Sequence, residues 1–143
     1  MKISVFIDKN RPEEVVVYAH EKTRLIEDIE QLVADSAEAL VGYKDRQMVP
    51  LGLSDVCCFI VEDNKIYALT QGDKLQLKCR LYRLEERLPD SFVKINKSCI
   101  ANLKMIERFD AAFSGSLQVR FKNGYVDYVS RRNLKSVKER FGL

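Results

Sequence analysis

The sequence is poor in the residues that most enzyme and metal sites require. It has one histidine, His20, in 143 residues, and its four cysteines form no C-x-x-C pair. Zinc and iron–sulfur sites need closely spaced cysteines and histidines, so we predict no metal ion and no other cofactor. Glycine-rich phosphate loops and the G-x-S-x-G motif are also missing. We therefore predict that the protein is not an enzyme and has no small-molecule substrate.

The histidine and the cysteines have simpler interpretations than catalysis. His20 ends a predicted strand in an acidic segment, where a surface or packed histidine is the usual case. Each cysteine lies in an apolar, strand-like run, in which a thiol behaves as a small hydrophobic side chain. We expect buried, reduced thiols, with a redox role for the adjacent pair Cys57-Cys58 as the alternative.

Long apolar runs are missing as well. The longest lies in DVCCFIVE, residues 55–62, and has six consecutive apolar residues, whereas a membrane-spanning helix needs about 20. The N-terminal segment MKISVFIDKNRPEE has no apolar stretch of the kind found in secretory signals. Hydrophobic residues still make up 46% of the chain, which is enough for a packed core. We predict a cytoplasmic protein with one domain and a modest extension.

Charge is distributed unevenly along the chain. The net charge is +3, but residues 1–42 carry −4, residues 43–90 are neutral and residues 91–143 carry +7. Clustered lysines and arginines gain free energy by displacing counterions from phosphates, which favours a polyanionic partner. A basic face that is merely solvated is the alternative, and charge alone does not separate the two.

The apolar pattern of the N-terminal region, residues 1–42, predicts two strands and a helix. Residues 2–8 alternate, NRPEE turns the chain, and residues 15–18 read VVVY. Between residues 21 and 40, apolar side chains recur at helical spacing, and Gly42 supplies a stop. This acidic β-β-α segment cannot bury both faces of its hairpin alone. We predict that residues 1–42 serve in packing, dimerisation or partner docking.

Residues 43–143 read mainly as short strands, so the predicted fold class is mainly β with short helices, α+β overall. The predicted strands are 46–49, 55–61, 65–70, 74–79, 92–95, 105–109 and the two arms of a hairpin over 117–129. The predicted helices are 81–88 and 131–140. Residues 55–61 are apolar throughout, which indicates a strand covered on both faces.

The hairpin about Asn123-Gly124 has a predicted register. Asn-Gly favours a two-residue type I′ turn, which places Phe121 opposite Val126 and Arg120 opposite Asp127. The side chains predicted to share its apolar face are Val119, Phe121, Val126 and Tyr128.

Three polar, basic clusters occupy loop-like positions in this region. They are Asn64-Lys65 in a hairpin turn, Asn96-Lys97-Ser98 between two apolar runs, and Ser130-Arg131-Arg132-Asn133 at a helix start. Lysine, arginine and serine hold phosphates, while asparagine, lysine and arginine can read base edges. Turn and cap formation is the alternative for asparagine and serine, and it is the main role predicted for Ser130. It does not explain paired arginines at a helix start, where positive charge opposes the helix dipole unless an anion is bound.

Two segments also carry a recognisable family pattern. They are RLYRLEERLPDSFVKINKSCIANLKMIERF and GSLQVRFKNGYVDYVSRRNLKSVKERF. Together they resemble the LytTR DNA-binding domain of bacterial transcription regulators, with its L-x-x-L-E helix, its F-x-R-x-[HN]-[KR]-S-x-[IV]-V-N run, its N-G hairpin and its V-S-R-R helix start. The match spans roughly residues 40–143, and Lys94 and Ala101 replace the usual arginine and valine.

The resemblance implies an elongated LytTR-type β-sandwich over residues 43–143 that reads the major grooves of promoter repeats through loops. The candidate DNA-binding residues are Asn64, Lys65, Asn96, Lys97, Ser98, Ser130, Arg131, Arg132 and Lys135. Lys65 or Asn64, Lys97 with Asn96, and Arg132 with Arg131 would read bases. Ser98 and Ser130 would hold phosphates or cap.

The predicted partners follow from the same resemblance. Only some 40 residues precede the matched region, too few for a receiver domain of about 120 residues. The chain is therefore similar to small stand-alone regulators, some of which are controlled by a membrane protein. We predict double-stranded DNA as a partner, together with a homodimer and a regulatory membrane protein. The alternative is a protein-interaction or ligand-sensing module whose basic face binds an acidic partner.

Overall fold

The computed structural model describes residues 1–36, 40–111 and 115–142. Contacts within the chain define two compact units, residues 1–37 and residues 38–143. None of the described helices is both long enough and apolar enough to cross a membrane.

The first unit contains one regular element among its described residues, helix α1 (Arg24–Ser36). This helix confirms the central part of the predicted helix 21–40, but residue 40 belongs to the next strand and residues 37–39 lie outside the described part. The predicted strands 2–8 and 15–18 are wrong for this structure, because residues 1–23 are assigned neither strand nor helix. An isolated two-stranded hairpin is marginal in water unless another layer covers it.

The second unit is built from strands β1 to β10 and helices α2 and α3. In chain order they are β1 (Leu40–Lys44), β2 (Gln47–Leu51), β3 (Val56–Glu62), β4 (Lys65–Thr70), β5 (Lys74–Leu77), α2 (Leu81–Arg87), β6 (Phe92–Asn96), β7 (Cys99–Asn102), β8 (Ile106–Ala111), β9 (Leu117–Phe121), β10 (Val126–Val129) and α3 (Arg131–Arg140). Short 3₁₀ turns at Leu53–Asp55 and Leu103–Met105 lead into β3 and β8. The predicted class, mainly β with short helices, is confirmed.

In the described part of this unit the strands form two antiparallel sheets. The larger has the order β2-β1-β5-β4-β3-β7-β6 and the smaller has the order β10-β9-β8. One core cluster joins side chains of both sheets to α3, through Val119 and Phe121 of the small sheet and Val137 of the helix. A second cluster packs Leu84 of α2 with other side chains of the large sheet, including Phe59. Since β3 contributes to both clusters, the prediction that it is covered on both faces is confirmed.

Strand β1 is not among the predicted strands, because Gly42 in its middle predicts a helix stop. Gly42 lies in the middle of β1, opposite Val49 of β2. A Cβ atom added to Gly42 would lie 2.7 Å from the Cβ of Leu75 on β5. Glycine is therefore required at this position by the close approach of two neighbouring strands, not by a turn.

The hairpin between β9 and β10 forms, but its predicted register is wrong by one residue. Arg120 pairs with Val126, and Val119 pairs with Asp127. The loop has three residues, 122–124, instead of two; Gly124 N donates to Phe121 O over 2.9 Å, and among these residues only Gly124 has a positive φ, +88°. This is a type I turn followed by a glycine bulge, instead of the predicted type I′ turn.

A tertiary contact explains the difference in turn type. The Asn123 side chain donates to Thr70 O over 3.0 Å and accepts from Tyr125 N over 3.0 Å. The extra loop residue turns Val126 and Tyr128 to the exposed face of the hairpin and Asp127 toward the larger sheet. The predicted pair of Arg120 with Asp127 is therefore absent.

Candidate nucleic-acid interface

Three polar loops of the second unit lie side by side, because the elements that carry them begin or end at the same edge. The turn after β3, the turn after β6 and the junction of β10 with α3 form this edge. Val61 N, beside the first turn, donates to Ser98 O in the second over 2.8 Å. Ser130 N, at the third, donates to Ile95 O at the end of β6 over 2.8 Å. The structure thus brings the three predicted clusters into one row, with the turn of Lys97 in the middle.

Asn96 holds the middle turn in its conformation through buried hydrogen bonds. Its side chain is 2% exposed, and its Nδ2 donates to Asp127 Oδ1 and to Tyr128 O, each over 2.8 Å. Its Oδ1 accepts from Ser98 N over 2.8 Å. The amide is fully engaged inside the protein, so Asn96 holds the turn in shape and its side chain does not face solvent. Lys97 and Ser98, the next two residues, are exposed.

The partner of Asn96 belongs to a small polar network between the two sheets. Asp127 Oδ2 accepts from the Tyr125 hydroxyl over 2.8 Å, and its Oδ1 accepts from Tyr128 N over 2.8 Å. Burial, and then this hydrogen bond to Asp127, raises the pKa of Tyr125 above its usual value. The hydrogen bond with Cys58, reinforced by burial, raises the pKa of Cys99. The neutral phenol of Tyr125 and the neutral thiol of Cys99 therefore lie beside the side chain of Asp127.

The first turn is tightly wound and exposed. Asp63 and Asn64 both have positive φ, 52° and 62°, which is the backbone of a type I′ turn. Glu62 and Lys65 pair across its base. Asn64 and Lys65 are both exposed, so the turn presents an amide and an ammonium at the edge.

The third cluster starts α3. Ser130 occupies the N-cap position, but its hydroxyl makes no capping bond to the backbone; it accepts from Asn133 Nδ2 over 2.8 Å instead. The predicted capping role of the Ser130 side chain is therefore wrong in this structure. Arg131, Arg132 and Lys135 are exposed on the first turns of the helix. The backbone N–H groups at this end leave a partial positive charge beside two guanidinium groups.

The cations of this row share one edge, and no carboxylate of the described residues neutralises them. Within the described part of the chain, no ion pair involves any of them; they are Lys65, Lys97, Arg131, Arg132 and Lys135. Elsewhere Lys44 contacts Asp73 over 2.9 Å, and Arg120 contacts Glu107 over 3.4 Å. Unpaired cations that share one edge create a local positive potential suited to phosphates.

Two residues of the site escaped the sequence interpretation. Asp127 orients Asn96, and the wrong hairpin register concealed its position. Tyr128, next to it, presents a half-exposed ring two residues before Ser130, and its carbonyl holds Asn96. No local motif marks either residue, because their roles depend on how β10 lies against β6. Among the described residues, no three histidine, cysteine or carboxylate side chains converge in a way that could hold a metal ion.

Comparison with known proteins supplies a family for this arrangement. Residues 46–142 match the family model described as the LytTr DNA-binding domain. The fold is similar to a solved LytTr DNA-binding domain, from a protein described as a methyl-accepting/DNA response regulator of Bacillus cereus. The TM-score is 0.68 at 21% identity, and the match covers 74% of this chain and 99% of that one. At that identity the likeness shows the fold.

Full-length relatives extend the similarity to the first unit. The chain is 36% identical, over 146 aligned positions, to an uncharacterised HTH-type transcriptional regulator of Staphylococcus aureus strain NCTC 8325, and 35% identical to a relative of the same description in strain MSSA476. Both alignments cover 100% of this chain and 99% of the relative. They include residues 1–45, which the family model leaves unmatched. On the family match and these relatives, the chain belongs to the LytTr DNA-binding domain family.

Proposed function

We propose that the protein is a transcription regulator that binds double-stranded DNA sequence-specifically through the three loops of its second unit. The observation that carries the proposal is the row of unpaired cations along one edge, held together by backbone hydrogen bonds through the turn of Lys97. Family membership supports it, and so does the description of the full-length relatives as transcriptional regulators. The function requires no catalysis.

The residues of the row have distinct proposed roles. Lys97, Arg132 and Lys65 or Asn64 extend into the grooves and read base edges, because amide, ammonium and guanidinium groups match the acceptors of purines. Arg131, Lys135, Ser98 and Ser130 hold phosphates, helped by the free N–H groups at the start of α3. Asn96 contacts no base in this proposal. Its buried amide instead fixes the position of the turn that carries Lys97.

Strand-end turns and the first turns of α3, not a helix-turn-helix motif, carry this interaction. The relatives' names contain "HTH-type", but in the described part of this chain no two consecutive helices are joined by a short turn. Helices α2 and α3 are separated by five strands. A helix-turn-helix motif needs two helices joined by three or four residues, so the proposed readout relies on strand-end turns and a helix start.

Affinity measurements on selected DNA test the proposal. Duplexes that the full chain binds would be selected from a random library, and binding of the best site would be titrated by fluorescence anisotropy. We expect Lys97→Ala and Arg132→Ala each to weaken binding about 5- to 150-fold, the equivalent of about 1–3 kcal/mol. Binding should also weaken steeply with salt, as phosphate contacts require.

Lys104→Ala is the matched control. Lys104 is also exposed and outside the ion pairs of the described chain. Lys97 precedes β7 and Lys104 follows it, so the two lysines lie at opposite ends of that strand. Its substitution should leave affinity within about twofold. Equal losses for Lys104 and Lys97 would indicate diffuse charge attraction, and the absence of any preferred duplex would favour an acidic protein partner.

Location and further partners follow from the proposed function. A chain that binds promoter DNA works in the cytoplasm of a bacterial cell. The similarity to small stand-alone regulators supports a membrane protein as the source of regulation, with the first unit as its docking element. Co-purification of the tagged chain with detergent-solubilised membranes, with and without residues 1–36, would test this partner.

A further inference from the structure

The first unit exposes an unusual amount of apolar surface. Among residues 1–33, whose side chains the structure describes, none is buried. Ile3, Phe6, Ile7 and Tyr18 are 87–93% exposed. A segment without any buried residue has no core to offset the entropy of ordering it. Its apolar side chains therefore need a partner that this unit does not contain.

The backbone of the same segment is equally unpartnered. Residues 1–7 and 12–20 make no interstrand hydrogen bond in the described structure. Their composition is typical of strands, with alternating apolar residues in KISVFID and a β-branched run in VVVY. Unpaired strand-forming backbone beside apolar side chains is a template for an added strand from another chain.

We propose that residues 2–8 form an antiparallel β-ribbon with the same residues of a second copy of this chain, centred on Val5. The proposal does not depend on DNA binding. In this register Val5 faces Val5 of the other copy, Ile3 faces Ile7, and Lys2 faces Asp8. Opposite charges thus meet at both ends of the ribbon, and its central row is apolar throughout.

Other registers and the parallel arrangement lack this complementarity. A parallel pair would align Lys2 with Lys2 and Asp8 with Asp8, and like charges directly opposite are destabilising. An antiparallel pair shifted by one residue would place Ser4 and Phe6 among the side chains of Ile3, Val5 and Ile7, which mixes the two faces. A two-fold axis through Val5 makes the contact isologous, the usual symmetry of protein dimers.

The apolar surface of the whole first unit, and not that of the ribbon alone, is large enough for a stable dimer. Residues 1–33 include twelve exposed large hydrophobic side chains. At roughly 100 Å² of apolar surface per exposed aliphatic side chain, two copies offer about 2,000 Å² or more, and stable interfaces bury about 1,200–2,000 Å². The half-exposed Leu25 of α1 and the run from Val15 to Tyr18 can cover the apolar face of the ribbon. Relatives that align over their whole length carry a first unit of the same extent.

Site-directed cross-linking of the full chain tests the register. Cys79 would first be replaced by serine, because it is half-buried, whereas the other three cysteines are buried. In that background Val5→Cys should form a covalent dimer on mild oxidation, because facing residues of an antiparallel pair lie within disulfide reach. Ile3→Cys is the matched control and should not cross-link to itself. A mixture of Ile3→Cys and Ile7→Cys chains should give the mixed dimer.

Light scattering supplies the independent reading of assembly. The unmodified chain should have the mass of a dimer at micromolar concentration. The Ile7→Asp variant should have the mass of a monomer and keep the circular dichroism spectrum of a folded chain. A monomeric wild-type chain would overturn the proposal, as would cross-linking of Ile3→Cys to itself as readily as Val5→Cys. Binding of the monomeric variant to a single selected DNA site keeps this result separate from the proposed function.

Discussion

Asn96 illustrates how a residue can serve a binding site without touching the ligand. The family resemblance implies that it reads bases together with Lys97, and asparagine is a residue type that can read base edges. In the structure its amide is buried, and every bond it makes is internal. The residue type could be predicted to matter, but its role could not, because the role depends on Asp127, which lies far along the chain on β10.

Replacement of Asn96 by alanine should cost stability and DNA affinity together. The substitution removes the side-chain hydrogen bonds of Asn96 to Asp127 Oδ1, Tyr128 O and Ser98 N. A buried group left unsatisfied costs about 1–3 kcal/mol. Urea denaturation would measure the free energy of unfolding, and anisotropy the affinity. Ser98→Ala removes an exposed hydroxyl of the same turn and should change stability little. An unchanged free energy of unfolding for Asn96→Ala would show that the network does not hold the turn.

Buried and half-buried tyrosine and cysteine side chains predict how stability depends on pH. Burial and the bond to Asp127 raise the pKa of Tyr125, and burial raises the pKa of Cys57 and Cys79. A group whose pKa is raised on folding binds its proton more tightly in the folded state, so its contribution is complete below the unfolded pKa and declines above it. Stability should therefore fall above about pH 8.5 as thiols ionise on unfolding, and further above about pH 10 for the phenol.

Tyr125→Phe isolates the alkaline part of that decline. The variant keeps the ring, which stacks on Phe121 with centroids 5.9 Å apart, but has no phenolic proton. Denaturation midpoints at pH 7, 9 and 10.5 should show a smaller loss between the last two values than in the wild type. Tyr128→Phe, at an exposed ring, serves as the control. Identical profiles for Tyr125→Phe and the wild type would contradict the assignment.

At the level of elements, β1 and β5 show which features local sequence does not reveal. Several strands could be predicted from alternation of apolar and polar residues, and β3 from its continuous apolar run. The location of β1 could not be predicted, because Gly42 is required by its close approach to Leu75 on β5. That strand comes much later in the chain. The type of turn between β9 and β10 also depends on a distant residue, because the Asn123 side chain donates to Thr70 O at the end of β4.

The close approach at Gly42 gives a sharp stability prediction. Gly42→Ala would place a methyl group 2.7 Å from the Leu75 Cβ, so two paired strands must separate, and overpacking of this kind costs about 1–3 kcal/mol. Gly72→Ala is the matched control, because a Cβ there meets nothing within 4 Å and its φ is not positive. Urea denaturation of both variants would measure the free energy of unfolding, which should fall for Gly42→Ala and stay near the wild-type value for Gly72→Ala. Equal stability of the two would mean that β1 and β5 have more room than their backbones indicate.

At the scale of the whole molecule, charge is distributed unevenly between the N-terminal and C-terminal parts of the chain. Residues 1–42 are acidic and residues 91–143 are basic, with net charges of −4 and +7. We assign assembly to the first unit and DNA to the second, which is where the unpaired cations lie. Composition predicted a polyanionic partner for the basic part, with a solvated basic face as the alternative, and left the role of residues 1–42 open. It did not reveal that residues 1–23 lack regular structure, because their strands are completed, in our proposal, by another copy.

The central claim is that the edge formed by the three loops reads DNA sequence, and base-pair substitution tests it most directly. The wild type, Lys97→Ala and Arg132→Ala would be titrated against the selected duplex and against duplexes that each carry one changed base pair. We predict that each variant becomes insensitive to substitution at its own position and keeps the wild-type penalties, about 1–3 kcal/mol, at the others. If both variants lost affinity uniformly while every positional penalty stayed as in the wild type, these side chains would hold only phosphates, and the account of sequence readout would be wrong.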